Sequence, residues 1–275
     1  MIPMQDLVER VLTRSSADGC IVVGSEHTET NLRWAANNLT TNGQIASRSV
    51  TVISIFDGAA GPSAGVVTRS VTSAAEVSDL VTASELAARK AGPADDAAPL
   101  VQPYQTDDDW SADPARTSVA LFERFADGLG AAFAVSSRRD RLLFGFAEHS
   151  LTSTFVASST GLRRRFDQPT GRVELNAKSA DYRRSAWNGV HTRDFTDVDI
   201  GALTERLNTR LDWAATTHEL PPGRYETILP PTAVADLMLD ASVERDRAIR
   251  QWRRRPGDPR RRCCSSCSSR SGGRS

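Results

Sequence analysis

Histidine and cysteine are the residue types in this chain that most directly suggest chemistry. The 275 residues include four histidines and four cysteines. His218-Glu219 begins like the zinc motif H-E-x-x-H, which places two histidines on one face of a helix. Pro222 stands where the second histidine would be, and the run Pro221-Pro222-Gly223 does not allow a helix there. The sequence therefore predicts no zinc site at His218.

The second candidate for metal or redox chemistry is Cys263-Cys264-x-x-Cys267, which contains a C-x-x-C spacing. A structural zinc ion needs four ligands, and no histidine or further cysteine lies nearby in the sequence. No strand or helix pattern around it suggests a thioredoxin-like pair either. We expect neither a metal nor a cofactor in this chain.

Two arginine clusters could attract anions. Arg163-Arg164-Arg165 follows a predicted strand, where it is either a solvated sheet edge or a patch for an anionic ligand. In the tail, Arg253-Arg254-Arg255 and Arg260-Arg261-Arg262 would attract phosphate. Only Trp252 could stack on a base there, and no nucleic-acid-binding module is recognisable. Nucleic-acid binding through the tail is therefore the less favoured alternative.

The net charge of zero hides two unlike pieces. Residues 243–275 contain eleven arginines and three acidic residues, whereas residues 1–242 contain 23 basic and 31 acidic residues. The hydrophobic fraction of 39% is enough for a substantial core. No run of eighteen apolar residues could span a membrane, and the N-terminus lacks a secretory signal pattern. We expect a cytoplasmic protein with no membrane contact.

Hydrophobic periodicity predicts the elements that must position these residues. Residues 1–92 form an α/β domain, with helices at 6–12 and 73–91 and strands at 19–24, 30–35, 47–56 and 65–71. Residues 93–116 are an acidic linker or surface loop without the ligand spacing of a calcium loop. Residues 117–242 are strand-rich, and the pattern predicts helices at 118–127, 198–214 and from 232, with strands at 133–137, 142–149, 154–159, 172–178 and 225–229. Residues 243–275 are expected to be a disordered tail, so the fold class is α+β.

Several segments in order carry a likeness to a known family. They are Phe144–Ser150, Ala157–Arg165, Val173–Lys178, Arg184–Trp187, Leu211–Ala214 and Leu220–Met238. The chain resembles the TldD/PmbA family, the so-called modulators of DNA gyrase, over roughly residues 5–240. The likeness is to an actinobacterial member on the PmbA (TldE) side. Each motif is weak alone, but their order and spacing together are specific.

The resemblance implies an N-terminal α/β domain, the start of a β-rich domain and a role in a cytoplasmic metallopeptidase. TldD and PmbA proteins form a heterodimer that proteolyses small or unfolded peptides. The TldD-like subunit holds zinc with an H-E-x-x-x-H helix, which falls here near Leu239–Glu244. That pattern is not matched, so the resemblance implies a non-catalytic partner whose zinc lies only in the TldD-like subunit. Arg163, Arg164, Arg165 and Trp187 are the expected ligand-facing or partner-facing residues.

The chain also departs from the family after this point. Family members continue into their β-rich half, whereas this sequence passes into the arginine-rich tail after residue 242. A reading-frame shift near codon 240 would explain the change, since CGN arginine codons shifted by one base encode Gly, Ala, Val, Asp or Glu. The expectation is a truncated PmbA-like subunit, whose own enzymatic activity the sequence leaves open.

Overall fold

The computed structural model describes residues 2–70, 73–94, 97–102 and 109–253. The elements within these ranges are five helices, six strands and a short 3-10 turn at Val119–Phe122. The helices are α1 (Met4–Arg14), α2 (Ala74–Lys90), α3 (Glu123–Arg138), α4 (Ile200–Trp213) and α5 (Pro231–Arg253). The strands are β1 (Gly19–Ala35), β2 (Asn38–Phe56), β3 (Ser63–Arg69), β4 (Arg141–Ser158), β5 (Arg163–Ser179) and β6 (Ser185–Thr192).

The six strands form one antiparallel sheet in the order β3-β2-β1-β4-β5-β6. β1 and β2 form a hairpin whose two-residue turn, Ala36-Asn37, has positive φ at both positions. Such a turn matches the right-handed twist of the flanking strands. The Asn37 side chain ties it to β4, because Oδ1 accepts from the Leu143 amide at 2.7 Å and Nδ2 donates to the Arg141 carbonyl at 2.8 Å.

Helices α1 to α4 pack on the same face of this sheet, in two pairs. Side chains alternate between faces along a strand, and register partners lie on the same face. Val22 of β1 and its partner Ala157 of β4 belong to the core under α1 and α2. Leu32 and its partner Ala147 belong to the core under α3 and α4. Each helix pair therefore covers one end of the long strands.

The first helix pair is fixed by apolar periodicity and by one close approach. Four residues of α1 are buried at helical spacing, namely Met4, Leu7, Val8 and Val11. Truncating a buried leucine such as Leu7 to alanine would cost about 2–5 kcal/mol. α2 crosses β3 at Gly65, where a Cβ atom would lie 2.2 Å from the backbone nitrogen of Ala88. Only glycine permits that approach.

Ser84 of α2 supplies the polar anchor of the same pair. It is fully buried, and its hydroxyl lies 2.8 Å from Ser54 Oγ and 3.1 Å from the Gly65 carbonyl oxygen. It also accepts a hydrogen bond from the Ser54 amide at 3.1 Å. Buried hydroxyls need such partners.

The second helix pair is built on aromatic side chains. Phe122, Phe125 and Phe195 pack edge to face, with ring centroids 4.9 and 5.6 Å apart for the two pairs that include Phe195. Asp199 is the N-cap of α4, because its Oδ1 accepts a hydrogen bond from the Ala202 amide at 2.9 Å.

Residues 218–275 form a second unit, separate from the compact unit of residues 1–217. Its described element is α5, and several of its apolar side chains are exposed: Val234, Leu237, Met238, Leu239 and Val243. Among the described residues of the whole chain, no helix is long and apolar enough to cross a bilayer.

The predicted α+β class is confirmed, with helices on one side of an antiparallel sheet. The expected linker at residues 93–116 does not separate two domains. β1 precedes this segment and β4 follows it in the sequence, yet the two strands are paired neighbours in one sheet. The expected tail begins within α5, which continues to Arg253. Residues 254–275, with the three tail cysteines and the second arginine triplet, lie outside the described residues.

Two predicted strands are wrong. Residues 133–137 belong to α3, whose buried residues Phe125, Leu129, Ala132 and Ser136 follow a helical stripe. A short apolar run does not by itself distinguish strand from helix. Residues 225–229 are in neither a strand nor a helix. The predicted helices at 6–12, 73–91 and 198–214 are confirmed as α1, α2 and α4.

Candidate functional site

The candidate site is the face of the sheet opposite the helices, which we call the helix-free face. In β1 it carries the odd-numbered residues, and in β4 and β5 the even-numbered ones, because Val22 and Ala157 point to the helices. No helix of the described residues 2–217 packs on it. The segment 97–102 passes one end, beside Gly19 and Ile55. The face therefore presents side chains that nearby helices leave uncovered.

Aromatic rings and cations alternate at one end of the helix-free face. Phe146 of β4 lies between two guanidinium groups, with Arg172 Cζ 4.8 Å and Arg33 Cζ 5.8 Å from the ring centroid. Lys178 Nζ lies 5.1 Å from the ring centroid of the neighbouring Phe144. Each cation is attracted by the negative face of the ring. We call Arg33, Phe144, Phe146, Arg172 and Lys178 the cation–aromatic cluster.

Two carboxylates flank Arg172 of this cluster and leave the group with a net positive charge. Glu148 Oε1 lies 3.4 Å from Arg172 Nε, and Glu174 Oε1 lies 3.6 Å from Arg172 Nη1. The side chains of Arg172 and Glu174 are 44% and 36% exposed, so solvent screens their interaction. Arg172 is thus accessible to a ligand while its orientation is held by its neighbours.

The centre of the helix-free face is polar. His27 Nδ1 lies 2.9 Å from Thr152 Oγ1, and His27 Nε2 lies 3.7 Å from a carboxylate oxygen of Glu29. The other end of the face carries an apolar group, Ile21, Val23, Ile53, Val66 and Val156, with Arg164 beside Val156. Val66 is 60% exposed. A long, open surface with apolar, polar and aromatic zones can accommodate an extended chain.

The four residues expected to face a ligand or partner are divided between the two faces of the sheet. Arg163 makes a two-point ion pair with Glu9 of α1, at 2.5 and 2.8 Å. Arg165 is buried on the helix side. Arg164, half-buried, and Trp187, 43% exposed, lie on the helix-free face. The structure thus brings two of the four to the candidate site.

Arg165 has a structural role that the sequence did not reveal. Its Nη1 donates to the carbonyl oxygens of Asp109 and Ala112 at 2.9 and 2.6 Å, and Nη2 donates to that of Asp113 at 2.9 Å. The Asp167 carboxylate lies 2.9 Å from Nη2. The first residues of β5 do lie at a sheet edge, since β6 pairs only from Gly171 onward. A solvated edge is nevertheless wrong for Arg165, because its guanidinium fastens a loop to the sheet.

Cys20 and His149, two residues of types that often take part in catalysis, are both buried in this fold. Burial raises the pKa of the Cys20 thiol, so little reactive thiolate is present at neutral pH. His149 is buried, with Nε2 2.9 Å from the Arg193 carbonyl oxygen and Nδ1 2.7 Å from Thr117 Oγ1. Since a carbonyl only accepts, Nε2 donates, and in a neutral ring Nδ1 then accepts from the hydroxyl. His149 therefore joins the segments around Thr117 and Arg193 to β4.

Within the described ranges, no three His, Cys, Asp or Glu side chains lie close enough to hold a metal ion.

Two surface carboxylates have pKa values below their usual range because they accept hydrogen bonds. The Asp181 carboxylate accepts from the Ser179 hydroxyl and the Arg183 amide, and Asp194 accepts from the hydroxyl and amide of Thr196. Both lie in turns, where they act as local hydrogen-bond acceptors.

Sequence reasoning missed the cation–aromatic cluster as a site. In the sequence, Phe144 and Phe146 stand out only as part of a family-like segment. The available signal was that Phe144, Phe146 and Glu148 share one face of β4 while Leu143 and Ala147 fill the core on the other. Only the sheet order shows that Arg33 and Arg172, 139 positions apart, flank the same ring.

No protein-family model and no curated protein sequence matches the chain. Solved structures do share its fold. TldE from Thermococcus kodakarensis matches with a TM-score of 0.60 and 14% identity, over 78% of this chain and 48% of that one. A candidate modulator of a DNA gyrase from Thermotoga maritima matches with a TM-score of 0.61 and 13% identity, over 80% and 50%. A similar protein from Bacteroides thetaiotaomicron gives 0.55 and 10%, over 76% and 48%.

These matches confirm at the level of the fold the likeness inferred from the sequence motifs. The chain spans about half the length of the solved structures it matches. At identities of 10–14%, the fold is what is shared.

Proposed function

We propose that this chain is a PmbA/TldE-type protein and the non-catalytic partner of a TldD-like metallopeptidase. The observation that carries the proposal is the fold shared with TldE over 78% of the chain. The ordered motifs from Phe144 to Met238 support it independently. The proposed complex is a cytoplasmic heterodimer that hydrolyses small or unfolded peptides.

The non-catalytic assignment rests on the donor atoms available in α5. By the resemblance, the zinc-binding segment of a TldD-like subunit falls near Leu239–Glu244, which contains two carboxylates and no histidine. These residues do not fit a site that needs two imidazole ligands and a free glutamate base. In the proposed complex, zinc and the catalytic glutamate therefore belong to the partner.

The helix-free face is the proposed contact surface for peptide substrates. Its exposed Phe166 and Trp187 offer apolar contacts, and Arg172 with Glu148 and Glu174 offers both signs of charge. An unfolded peptide presents apolar side chains together with charges of either sign. Such a mixed surface binds many sequences weakly, which suits a subunit that delivers unfolded peptides to a catalytic partner.

Sedimentation velocity tests the partnership. The purified chain is mixed with the TldD-type protein from the same genome, and we expect one faster-sedimenting species at equal molar ratio. Two species that keep their separate sedimentation coefficients at micromolar concentration would overturn the proposed partnership.

Binding of a fluorescent unfolded peptide tests the role of the face. Phe146→Ala should weaken peptide binding severalfold, because it removes the ring between Arg33 and Arg172. Leu86→Ala is the matched control, since Leu86 is 51% exposed on the helix side. Equal affinities of both variants and the wild type would contradict the assignment of the helix-free face.

Nucleic-acid binding is the outcome that would favour the alternative. Residues 243–275 carry a net charge of +8, from eleven arginines and three acidic residues. Binding through phosphate contacts weakens steeply as salt rises. We expect no salt-sensitive DNA binding; finding it, and losing it on removal of residues 254–275, would support the alternative.

A further inference from the structure

A second polar site lies on the helix side of the sheet, between the two helix pairs. Glu26 of β1 and Arg48 of β2 are register partners. Glu26 lies on the helix side because it follows Val22 and Gly24 at intervals of two residues along β1. Arg48 Nη2 lies 2.7 Å from Glu26 Oε1. The two side chains are only 10% and 12% exposed, so this is a buried ion pair.

Arg48 has more hydrogen-bond donors than its surroundings satisfy. Nη2 interacts with Glu26 and donates to the Ile2 carbonyl oxygen at 2.8 Å. Nε and Nη1 are buried, and neither has a hydrogen-bond partner. An arginine cannot lose its charge in a protein, so these three N–H groups remain donors without acceptors. Buried polar groups are nearly always paired, and an unpaired cationic donor calls for an acceptor.

Arg48 also lines a cavity of about 390 Å³. Arg116 is the second cation in its wall, and Thr28 and Ser70 are lining residues that carry hydroxyl groups. Glu26 is the only acidic residue among the described lining residues, and it is already paired with Arg48. No carboxylate of the described residues lies within ion-pair distance of Arg116. The volume is within the range of small-molecule sites.

We propose that this cavity binds an oxyanion, the carboxylate or phosphate group of a small ligand. Arg48 is held only through Nη2, so its guanidinium can turn about that contact and present Nη1 to an oxygen in the cavity. Arg116 supplies the second positive charge from the rim, and the hydroxyls donate the remaining hydrogen bonds. The bound oxygen atoms pair the donors that are otherwise unsatisfied, and the net positive wall favours an anion over a neutral ligand.

This site is independent of the proposed peptide role, because it lies on the opposite side of the sheet from the cation–aromatic cluster. Nothing in its geometry calls for a catalytic step. It is a binding site with two cationic contacts.

Isothermal titration of the full chain with inorganic phosphate and with acetate tests the proposal at constant ionic strength. We expect saturable one-site binding of at least one of the two ions, and the ion bound identifies the ligand chemistry. Arg116→Gln should weaken that binding about tenfold or more, as expected for a lost hydrogen bond to a charged group. Arg116 is exposed, so this change should leave folding intact.

Two further variants complete the test. Arg48→Lys keeps the charge but has fewer donors, and it should also weaken binding about tenfold. Arg10→Gln, an exposed arginine of α1 outside the cavity, should bind like the wild type. Absence of saturable binding for both ions, or equal affinity of Arg116→Gln and wild type, would overturn the site.

Discussion

The packing of α3 against α4 gives a sharp test of the structure, because two glycines of one helix differ in their surroundings. At Gly128 a Cβ atom would lie 2.4 Å from Cγ2 of Ile200, whereas at Gly130 it would meet nothing within 4 Å. Carbon atoms in contact are normally about 3.5–4.0 Å apart. Ile200 is 7% exposed and part of the core, so it has little room to move.

The expected magnitudes follow from these distances. Gly130→Ala should raise the free energy of unfolding by about 0.5–1 kcal/mol, the ordinary gain of alanine over glycine inside a helix. Gly128→Ala gains the same propensity but overpacks the core, at a cost of about 1–3 kcal/mol. The two variants should therefore differ by about 1–3 kcal/mol, with Gly128→Ala the less stable.

Urea unfolding followed by circular dichroism measures both variants, and a third variant isolates the contact. Ile200→Ala removes Cγ2, so in the Gly128→Ala background it should cost less than in the wild type, with a coupling energy of about 0.5–3 kcal/mol. Equal stability of the two single variants, or strict additivity with Ile200→Ala, would refute the close approach of α3 and α4.

Three further predictions concern single side chains. Arg165→Gln should lower the free energy of unfolding, measured by urea titration, by about 3–5 kcal/mol, because the loop carbonyls lose a buried charged donor. The control variant Arg10→Gln should change the free energy of unfolding by less than about 0.5 kcal/mol. Asp194 has a lowered pKa, so its stabilising effect is present above its unfolded pKa and lost as pH falls through the folded value. Asp194→Asn should therefore flatten the pH dependence of unfolding below about pH 4, and an unchanged profile would contradict this role. Native Cys20 should react with iodoacetamide much more slowly than in urea, and equal rates by mass spectrometry would contradict its burial.

The sequence correctly predicted the helices that bury one apolar face against the sheet. α1 and α4 each bury a stripe against the sheet, at Leu7 and Val11 and at Leu203 and Leu207. Periodicity of this kind survives in the sequence because the opposite face of each helix meets solvent.

Long strands were predicted only in pieces. β1 runs from Gly19 to Ala35, yet its middle, Ser25–Glu29, is polar on both faces and was assigned to no strand. The structure explains this, since the segment crosses the gap between the two helix pairs, where Glu26 pairs with Arg48. The Ala36-Asn37 turn was also missed, because alanine rarely adopts positive φ.

The candidate sites depend on pairing across the sheet, which no local pattern records. Arg33 and Phe146 become neighbours only through the register of β1 with β4. Arg48 is buried beside the first residues of the chain, where Nη2 donates to the Ile2 carbonyl oxygen. This burial leaves Nε and Nη1 without hydrogen-bond partners. The family-like motifs predicted the fold. The cation–aromatic cluster and the cavity beside Arg48 could be identified only from the three-dimensional structure.

Peptide hydrolysis with purified components tests whether this chain is the non-catalytic partner of a TldD-like metallopeptidase. The TldD-type protein from the same genome, this chain and their equimolar mixture are each incubated with an unfolded peptide, with and without a zinc chelator. We expect chelator-sensitive hydrolysis that is much faster in the mixture than in either protein alone, with none from this chain by itself. Chelator-sensitive hydrolysis by this chain alone, or a mixture no faster than the TldD-type protein alone, would contradict its assignment as the non-catalytic partner.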